Sequence, residues 1–212
     1  MNFEHIKGLI FDLDGVIVST EENHFDAWRN TAESLGIPFT HQDNERLKGV
    51  SRVDSLKLIL SMGNKSIPTE EFERLLQVKN DNYLNSISEL SQENLLPGVL
   101  NLLRSAQSKG LKLAIGSSSK NAPFIIAKLG LDSYFTAIID GNGVKNPKPD
   151  PEVFLNAAKA MELNVSECLV FEDAESGIQA AKSGGFFAIA VGNPEIKNSG
   201  DLYLNSLNEM HL

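Results

Sequence analysis

Two aspartates near the start of the chain, Asp12 and Asp14, have the type and spacing to hold a metal ion together. They follow the apolar run Leu9–Phe11, and Gly15 comes directly after them. An apolar run of this length that stops at charged residues is typical of a buried parallel strand. Residues two apart along a strand point to the same side, so the two carboxylates would be aimed together. Gly15 would then let the backbone turn.

Carboxylates this close repel each other, and burying both is costly unless a cation lies between them. Mg²⁺ is the hard cation that binds carboxylate oxygens while it keeps waters and substrate phosphates. The pair therefore predicts a Mg²⁺ site. A strand that ends in a solvated acidic turn would show the same short motif, so the rest of the chain has to decide between the two interpretations.

Further polar stretches follow other predicted strands: residues 116–121 (GSSSKN), Lys148 within NPKPDP, and the acidic pair Glu172-Asp173. Small hydroxyl side chains and free N–H groups before a helix suit a phosphate, and flanking prolines fix the approach of a lysine. Each stretch also has an ordinary explanation, as a serine-rich cap, a solvated lysine or an acidic helix start. Strands of an open α/β sheet direct their carboxyl ends at one crevice, so together these ends predict a site for phosphate chemistry.

The charge of the chain restricts its partners. Its 212 residues carry a net charge of −9, and the 19 basic residues form no cluster. This argues against nucleic acid or an anionic membrane as the main partner. The single cysteine, Cys168, excludes an internal disulfide and fits a reducing compartment. No signal-peptide pattern opens the chain and no apolar run approaches membrane-spanning length, so we expect a cytoplasmic protein, and we expect a monomer.

The periodicity of apolar residues divides the chain into two parts. Helical spacing covers residues 21–36, 42–48, 52–62 and 69–87, with Ser51 and Thr69 as expected caps and Gly63 as an expected end. From residue 97 on, helices and strands alternate, with strands expected at 111–115, 137–140, 168–171 and 187–191. Repeated βα units imply a parallel sheet with helices on both faces.

The predicted fold class is therefore α/β, a Rossmann-like parallel sheet core with helices on both faces and an inserted all-helical cap. Residues 1–15 and 93–212 would form the discontinuous core. Residues 16–92 would form the cap over the crevice, with its hinge segments.

The motifs quoted above, taken together, resemble those of the haloacid dehalogenase superfamily along the whole chain. The matching stretches are FDLDGV at 11–16, Ser117, Lys148 in KPDP, and FEDAESGIQAA at 171–181. Within that superfamily the chain is most similar to the β-phosphoglucomutase family, through His24 with Ala27-Trp28, Gly49–Arg52 with Asp54-Ser55, Lys79–Tyr83, and Ser117–Asn121 with Pro123-Phe124. Ser118 stands where that family often has alanine. Pro147 stands where glycine or serine is usual, which bears on how Lys148 is presented.

The resemblance implies a role for each matching residue in the core. Asp12 would be the nucleophile that forms an aspartyl phosphate, and Asp14 would be the general acid and base. Ser117 and Lys148 would bind the transferring phosphoryl group and offset its charge. The Mg²⁺ ion would be held by Asp12, the backbone carbonyl of Asp14, Glu172 and Asp173.

The resemblance also implies a substrate site that extends onto the cap. Arg52, with Ser119, Lys120 and Asn121, would hold the second, non-transferring phosphate. His24, Lys79 and Thr20 would lie near the cap hinge and Asp14, although His24 is one residue from the apolar face of its helix and could be structural. The full expected set for substrate binding is Thr20, His24, Trp28, Arg52, Lys79, Ser118, Ser119, Lys120 and Asn121.

The implied reaction is the interconversion of β-D-glucose 1-phosphate and glucose 6-phosphate through an aspartyl phosphate and a bisphosphate intermediate. A Mg²⁺-dependent sugar phosphate phosphatase would use the same core, with water taking the phosphoryl group. A second phosphate site, for which Arg52 is the main candidate, would distinguish the mutase. A non-catalytic sugar phosphate binder is the third alternative, but it would not need a nucleophile and an acid–base group side by side.

Overall fold

The computed structural model describes residues 3–47 and 50–212. Two compact units divide the described chain: one runs to Ser19 and resumes at Leu90–Leu212, and the other is Thr20–Glu89. We call them the sheet unit and the helical unit. The boundaries expected after residues 15 and 92 stay predictions.

Six parallel strands form the sheet within the described residues: β1 Gly8–Phe11, β2 Lys112–Gly116, β3 Ala137–Ile139, β4 Cys168–Glu172, β5 Phe187–Val191 and β6 Leu202–Leu204. Their order is β3-β2-β1-β4-β5-β6, with Phe11 of β1 opposite Phe171 of β4. The order of connection reverses between β1 and β4, which is where an open α/β sheet places its ligand crevice. The predicted fold class is confirmed, whereas β6 was not predicted.

The α-helices of the described residues are α1 Glu21–Ser34, α2 His41–Glu45, α3 Arg52–Met62, α4 Thr69–Ser86, α5 Val99–Ser108, α6 Ala122–Lys128, α7 Glu152–Ala160 and α8 Glu175–Ser183. The first four belong to the helical unit and the last four to the sheet unit. In the described chain, no helix combines the length and the apolar character that crossing a membrane requires.

Consecutive residues of β1 pack on opposite faces of the sheet. Ile10 joins a buried cluster with Phe154 of α7 and Ile178 of α8. Phe11 stacks on Phe171, with ring centroids 4.8 Å apart, and meets the ring of Phe135 edge-on. Ile10 and Phe11 are both fully buried. This burial on both faces explains why the strand is apolar throughout and why the charged residues begin only after it ends.

The helical unit has its own apolar core. Phe25, Trp28 and Ala32 of α1 are buried, and they pack with Ile59 of α3 and Leu75 of α4. Of the two N-caps predicted from the sequence, Ser51 and Thr69, the structure shows one. Ser51 accepts a hydrogen bond from the backbone N–H of Asp54, and Gly63 ends α3, as expected.

The prediction for Thr69 was wrong. Pro68 occupies the N-cap position, with no side-chain cap hydrogen bond, and Thr69 is the first helical residue. The ring of Pro68 fixes its φ at −60°, and with its extended ψ of 153° the helix starts one residue earlier than the serine/threonine pattern suggested.

Candidate active site

Three buried charges meet where β1 and β4 end. Asp12 directly follows β1, Glu172 is the last residue of β4, and Lys148 lies in the loop between β3 and α7. The Lys148 ammonium donates to Oδ1 of Asp12 and to Oε1 of Glu172, each at 2.6 Å. All three residues are less than a tenth exposed. Lys148 is therefore directed at Asp12 even though proline, and not glycine or serine, stands at position 147.

The charges in this cluster are interdependent. Burial raises the pKa of Asp12 to about 7; the Lys148 ammonium opposes this rise, while the carboxylates of Glu172 and Asp14 add to it. Burial lowers the pKa of Lys148, but Asp12 and Glu172 outweigh it, so the net pKa lies above the ordinary lysine value. Lys148 therefore stays charged. One ammonium does not fully compensate the carboxylates around it, so the site favours additional positive charge.

The same edge presents a donor set for a cation. Carboxylate oxygens of Asp12, Glu172 and Asp173 all lie within 4.8 Å of one another. Space for Asp173 depends on Gly15, which has a φ of +83° and where an added Cβ would lie 2.0 Å from Oδ2 of Asp173. An all-oxygen set of this kind fits a hard divalent cation. The carboxylate of Asp14 is outside this group, and its expected contribution through the backbone carbonyl stays a prediction.

Glu172 accepts hydrogen bonds from two other groups of the described chain. Besides the ammonium of Lys148, it accepts a hydrogen bond from the backbone N–H of Ala174 through Oε2 at 2.9 Å. Gly177 leaves room for this carboxylate, since an added Cβ would lie 1.7 Å from Oε1. Glu172 thus positions Lys148 in this structure. Whether it also binds the metal, as expected, stays a prediction.

The loop from Ser117 to Asn121 follows β2 and precedes α6. Ser117 is buried, and its Oγ accepts from the N–H of Ser119; the Oγ of Ser119 accepts in turn from the N–H of Asn121. In both bonds the hydroxyl is the acceptor, so its own proton is not used there. Lys120 is exposed and Ser118 is partly buried. The loop therefore offers the hydroxyls and the lysine that the sequence predicted for phosphate binding.

The helical unit holds a second buried lysine. The Lys79 ammonium lies 2.8 Å from Nδ1 of His24, 4.8 Å from the ring centroid of Trp28 and 4.7 Å from that of Tyr83. The hydroxyl of Tyr83 is 3.0 Å from Oγ1 of Thr20. We call these five residues the Lys79 cage. The structure thus brings together Thr20, His24, Trp28 and Lys79, and their expected role in substrate binding stays a prediction. Tyr83 was not among the expected site residues, although it lies four residues after Lys79, on the same face of α4.

The cage fixes the protonation of His24. Burial, followed by the charges of Lys79 and Arg52, lowers the pKa of His24 well below its ordinary value. The lowered pKa favours the neutral ring, and with Lys79 as an ammonium Nδ1 of His24 would be the acceptor. Arg52, the first residue of α3, has a pKa lowered by partial burial, which Asp81 and Tyr83 oppose. Gly49, part of the motif around Arg52, lies outside the described residues.

The expected site residues therefore form two clusters, one in each unit. The sheet unit defines the class of protein: a parallel sheet with an Asp-x-Asp pair after its first strand, a buried lysine bound to the first of these aspartates, and an acidic pair at the end of β4. The chain belongs to the haloacid dehalogenase-like hydrolase family, whose model matches residues 6–185.

Individual relatives narrow the comparison. The chain is 42% identical to a β-phosphoglucomutase of Bacillus subtilis (strain 168) over 209 residues, which is 98% of this chain and 92% of that protein. It is 35% identical to a phosphorylated carbohydrates phosphatase of Thermotoga maritima, over 85% of this chain and 82% of that protein. Its fold matches the crystal structure of a β-phosphoglucomutase from Clostridium difficile with a TM-score of 0.94 and 40% identity, covering 98% and 94% of the two chains.

Proposed function

We propose that this protein is a β-phosphoglucomutase, which interconverts β-D-glucose 1-phosphate and glucose 6-phosphate. The observation that carries the proposal is the buried cluster at the ends of β1 and β4, where Lys148 contacts Asp12 at 2.6 Å beside the carboxylates of Glu172 and Asp173. Phosphoryl transfer requires positioning and charge compensation, and this cluster supplies both. The choice of a mutase rests on the similarity to the Bacillus subtilis and Clostridium difficile proteins.

In the proposed reaction, the 6-hydroxyl of β-D-glucose 1-phosphate attacks phosphorus of an aspartyl phosphate at Asp12, and Asp14 takes up the proton of that hydroxyl, which gives the bisphosphate and the free Asp12 carboxylate. Asp12 then attacks phosphorus of the 1-phosphate, and the 1-oxygen leaves with the proton from Asp14, which gives glucose 6-phosphate and restores the aspartyl phosphate. A bisphosphate intermediate links the two half-reactions, so no phosphate is released. Lys148 and Ser117 would hold the phosphoryl oxygens and offset their charge.

We propose Mg²⁺ as the cofactor, held by the carboxylates of Asp12, Asp173 and Glu172 and by the backbone carbonyl of Asp14. The fit rests on the oxygen donors within 4.8 Å of one another and on the space that Gly15 leaves beside Asp173. When bound, the ion would compensate the negative charge of the transferring phosphoryl group and of the acidic cluster.

The second phosphate of the intermediate needs its own cationic site. We propose Arg52 for it, with Ser119, Lys120 and Asn121. A guanidinium can hold a phosphate through two parallel hydrogen bonds, which suits a group that must be bound in either orientation of the sugar. The proposed partner is thus a small sugar phosphate. A cytoplasmic monomer remains the prediction from the composition of the chain.

A sugar phosphate phosphatase is the second candidate, because the Thermotoga maritima relative carries that name at 35% identity. In that reaction, water would take the phosphoryl group from Asp12. The core residues would keep the same roles.

One assay separates the two candidates. The protein is given β-D-glucose 1-phosphate, Mg²⁺ and a trace of glucose 1,6-bisphosphate, and glucose 6-phosphate and free phosphate are both measured. We expect glucose 6-phosphate to exceed free phosphate by a wide margin, and excess chelator to abolish its formation. Asp12→Asn, which is nearly isosteric, should form neither product. Free phosphate as the main product would establish the phosphatase, and full activity in chelator would exclude the metal.

A further inference from the structure

A turn in the loop between β3 and α7 lies against the Ser117–Asn121 loop. This turn consists of residues 140–143, and we call it the 140–143 turn. At Gly141, an added Cβ would lie 2.5 Å from the backbone oxygen of Ser118 and 3.1 Å from Cγ of Lys120. Contacts of 2.5 Å between a Cβ and a carbonyl oxygen are sterically forbidden, so any side chain here would push one backbone away from the other. The two loops therefore approach closely only because residue 141 is glycine.

Hydrogen bonds connect the same two segments. The N–H of Gly141 donates to the oxygen of Ser119 at 3.4 Å, and the side-chain amide of Asn142 donates to the oxygen of Lys120 at 3.3 Å. Just before the turn, the oxygen of Ile139 accepts from the N–H of Ser117 at 2.9 Å. Ile139, Gly141 and Asn142 thus form hydrogen bonds with three positions of the Ser117–Asn121 loop.

The turn is itself fixed by Asp140. Oδ1 of Asp140 accepts from the N–H of Asn142 at 2.8 Å and from the N–H of Gly143 at 3.2 Å. Oδ2 accepts from the side-chain amide of Asn142 at 2.9 Å. The amide of Asn142 therefore contacts both Asp140 and Lys120. Because these hydrogen bonds hold its backbone in place, the turn can act as a rigid support for the Ser117–Asn121 loop.

We propose that the 140–143 turn positions residues 118–121 to bind the non-transferring phosphate of the sugar, with Gly141 as the positioning residue. The inference rests on the proposed function, since that function assigns the second phosphate to Ser119, Lys120 and Asn121. It adds a specificity role for residues that do not themselves touch the substrate. Asp12 and Lys148 lie outside these contacts, so the turn should influence recognition of the sugar phosphate more than the transfer step.

Gly143 provides a matched control within the same turn. An added Cβ there would lie 3.6 Å from the oxygen of Asp140 and 3.8 Å from Cγ2 of Ile139, which are ordinary contacts. Neither Gly141 nor Gly143 has a positive φ. Alanine is therefore compatible with the backbone conformation at both positions, and only at 141 does it meet the phosphate-binding loop.

The experiment compares Gly141→Ala and Gly143→Ala in the full-length protein with Mg²⁺. For Gly141→Ala we expect the KM for β-D-glucose 1-phosphate to rise about tenfold or more, with kcat changed by less than about threefold. Phosphorylation of Asp12 by acetyl phosphate should be unchanged. Amide hydrogen exchange of residues 118–121 should become faster. Gly143→Ala should match the wild type in all three measurements.

A second variant covers the case in which Gly141→Ala folds poorly. Asn142→Ala adds no bulk and removes the donor to the oxygen of Lys120, so it should raise KM in the same direction by about threefold. Equal KM and exchange rates in Gly141→Ala and Gly143→Ala would overturn the inference, as would an equal loss of phosphorylation by acetyl phosphate. If the wild type forms no glucose 6-phosphate, the proposed function fails, and the exchange rates alone then decide whether the turn positions the loop.

Discussion

The two units each bury a lysine, and they accommodate its charge in different ways. In the sheet unit, the Lys148 ammonium lies between the carboxylates of Asp12 and Glu172. In the helical unit, the Lys79 ammonium lies over the rings of Trp28 and Tyr83 and against a ring nitrogen of His24. Lys148 is 6% exposed and Lys79 is 2% exposed, so burial alone does not distinguish them. The difference lies in what remains when the lysine is removed.

Around Lys148, removal of the ammonium leaves two buried carboxylates without their common cation, which is among the most costly changes in a protein interior. Around Lys79, the contacts described above are with two ring faces and an imidazole nitrogen, and removal of the ammonium loses these cation–π contacts and this hydrogen bond. The first arrangement suits a site that must bind and release phosphoryl groups and cations. The following predictions test this contrast, beginning with the largest effect.

Lys148→Met should give the largest effect on both stability and catalysis. In metal-free buffer we expect the free energy of unfolding to fall by about 3–5 kcal/mol, because Asp12 and Glu172 lose their buried partner. The rate of phosphoryl transfer should fall by about 10²- to 10³-fold, as for the loss of one preorganised charge. Urea unfolding and phosphorylation of Asp12 by acetyl phosphate measure the two quantities.

Lys7→Met is the control for Lys148→Met. Lys7 is also paired with a glutamate, Glu167, but its side chain is 64% exposed. Exposed pairs contribute little, so this variant should resemble the wild type in both measurements. A similar small change in Lys148→Met would contradict the assignment of Lys148 as the shared partner of two buried carboxylates.

The contrast between the two lysines was only partly visible in the sequence. Lys148 was predicted from the prolines around it and from the strand ends on either side, because a continuous apolar run followed by charged residues marks the edge of a parallel sheet. That Glu172 holds Lys148 was not predicted, since the partners are separated by a whole helix in the chain. Lys79 was identified through resemblance to a family, and its contact with the ring of Trp28 emerged only from the packing of α4 against α1.

Other features left no signal in the sequence for a physical reason. Strand β6, which pairs with β5, has only the three residues Leu202–Leu204. It is therefore too short to show an alternation of apolar and polar residues. The approach of Gly141 to the oxygen of Ser118 joins backbone atoms that are distant along the chain. Backbone carbonyls are the same in every residue, so such a contact leaves no pattern of residue types beyond the glycine itself.

Arg52→Ala tests the proposal that Arg52 binds the second phosphate while residues of the sheet unit transfer the phosphoryl group. Loss of a charge-assisted phosphate contact costs about 1.5–3 kcal/mol, so we expect mutase activity to fall by roughly ten- to a hundredfold. Phosphorylation of Asp12 by acetyl phosphate should be unchanged, because Asp12, Lys148 and the metal site are untouched. Arg52→Lys should recover only part of the loss, since an ammonium cannot make two parallel hydrogen bonds.

Arg74→Ala is the matched control for Arg52→Ala. Arg74 lies on α4 of the same unit, but its side chain is 58% exposed and paired with Glu71. We expect this variant to keep wild-type mutase activity. Equal loss of mutase activity and acetyl phosphate reactivity in Arg52→Ala would assign Arg52 to the fold or to the transfer step, and no loss of either would place the second phosphate elsewhere.

Lys79→Met should have a smaller effect on stability than Lys148→Met. A buried cation–π contact contributes about 2 kcal/mol, and methionine can fill much of the same space. We therefore expect a change of about 2 kcal/mol or less in the free energy of unfolding. Trp28 is the only tryptophan in the sequence, so its fluorescence reports unfolding of the helical unit. A loss as large as that of Lys148→Met would remove the distinction between the two lysines.

The smallest predicted effect is the pH dependence that His24 gives to the helical unit. In the folded protein the pKa of His24 is lowered, first by burial and then by Lys79 and Arg52. The unfolded chain, with a histidine pKa of about 6.5, therefore binds more protons at acidic pH than the folded chain does. Stability is fully present above pH of about 6.5 and falls as the pH drops below it, by at most about 1.4 kcal/mol per pH unit.

His24→Gln removes this titration while keeping a side chain that can accept a hydrogen bond from Lys79. We expect the difference in unfolding free energy between wild type and variant to be constant above pH 7, as a rough bound set by the ordinary histidine pKa. Below that pH the difference should move in favour of the variant. His211→Gln, at an exposed position near the C-terminus, controls for a general effect of replacing histidine. Parallel curves for wild type and His24→Gln from pH of about 8 to about 5 would show that His24 titrates alike in both states. The cage would then admit a second positive charge, contrary to an arrangement in which the imidazole accepts from Lys79.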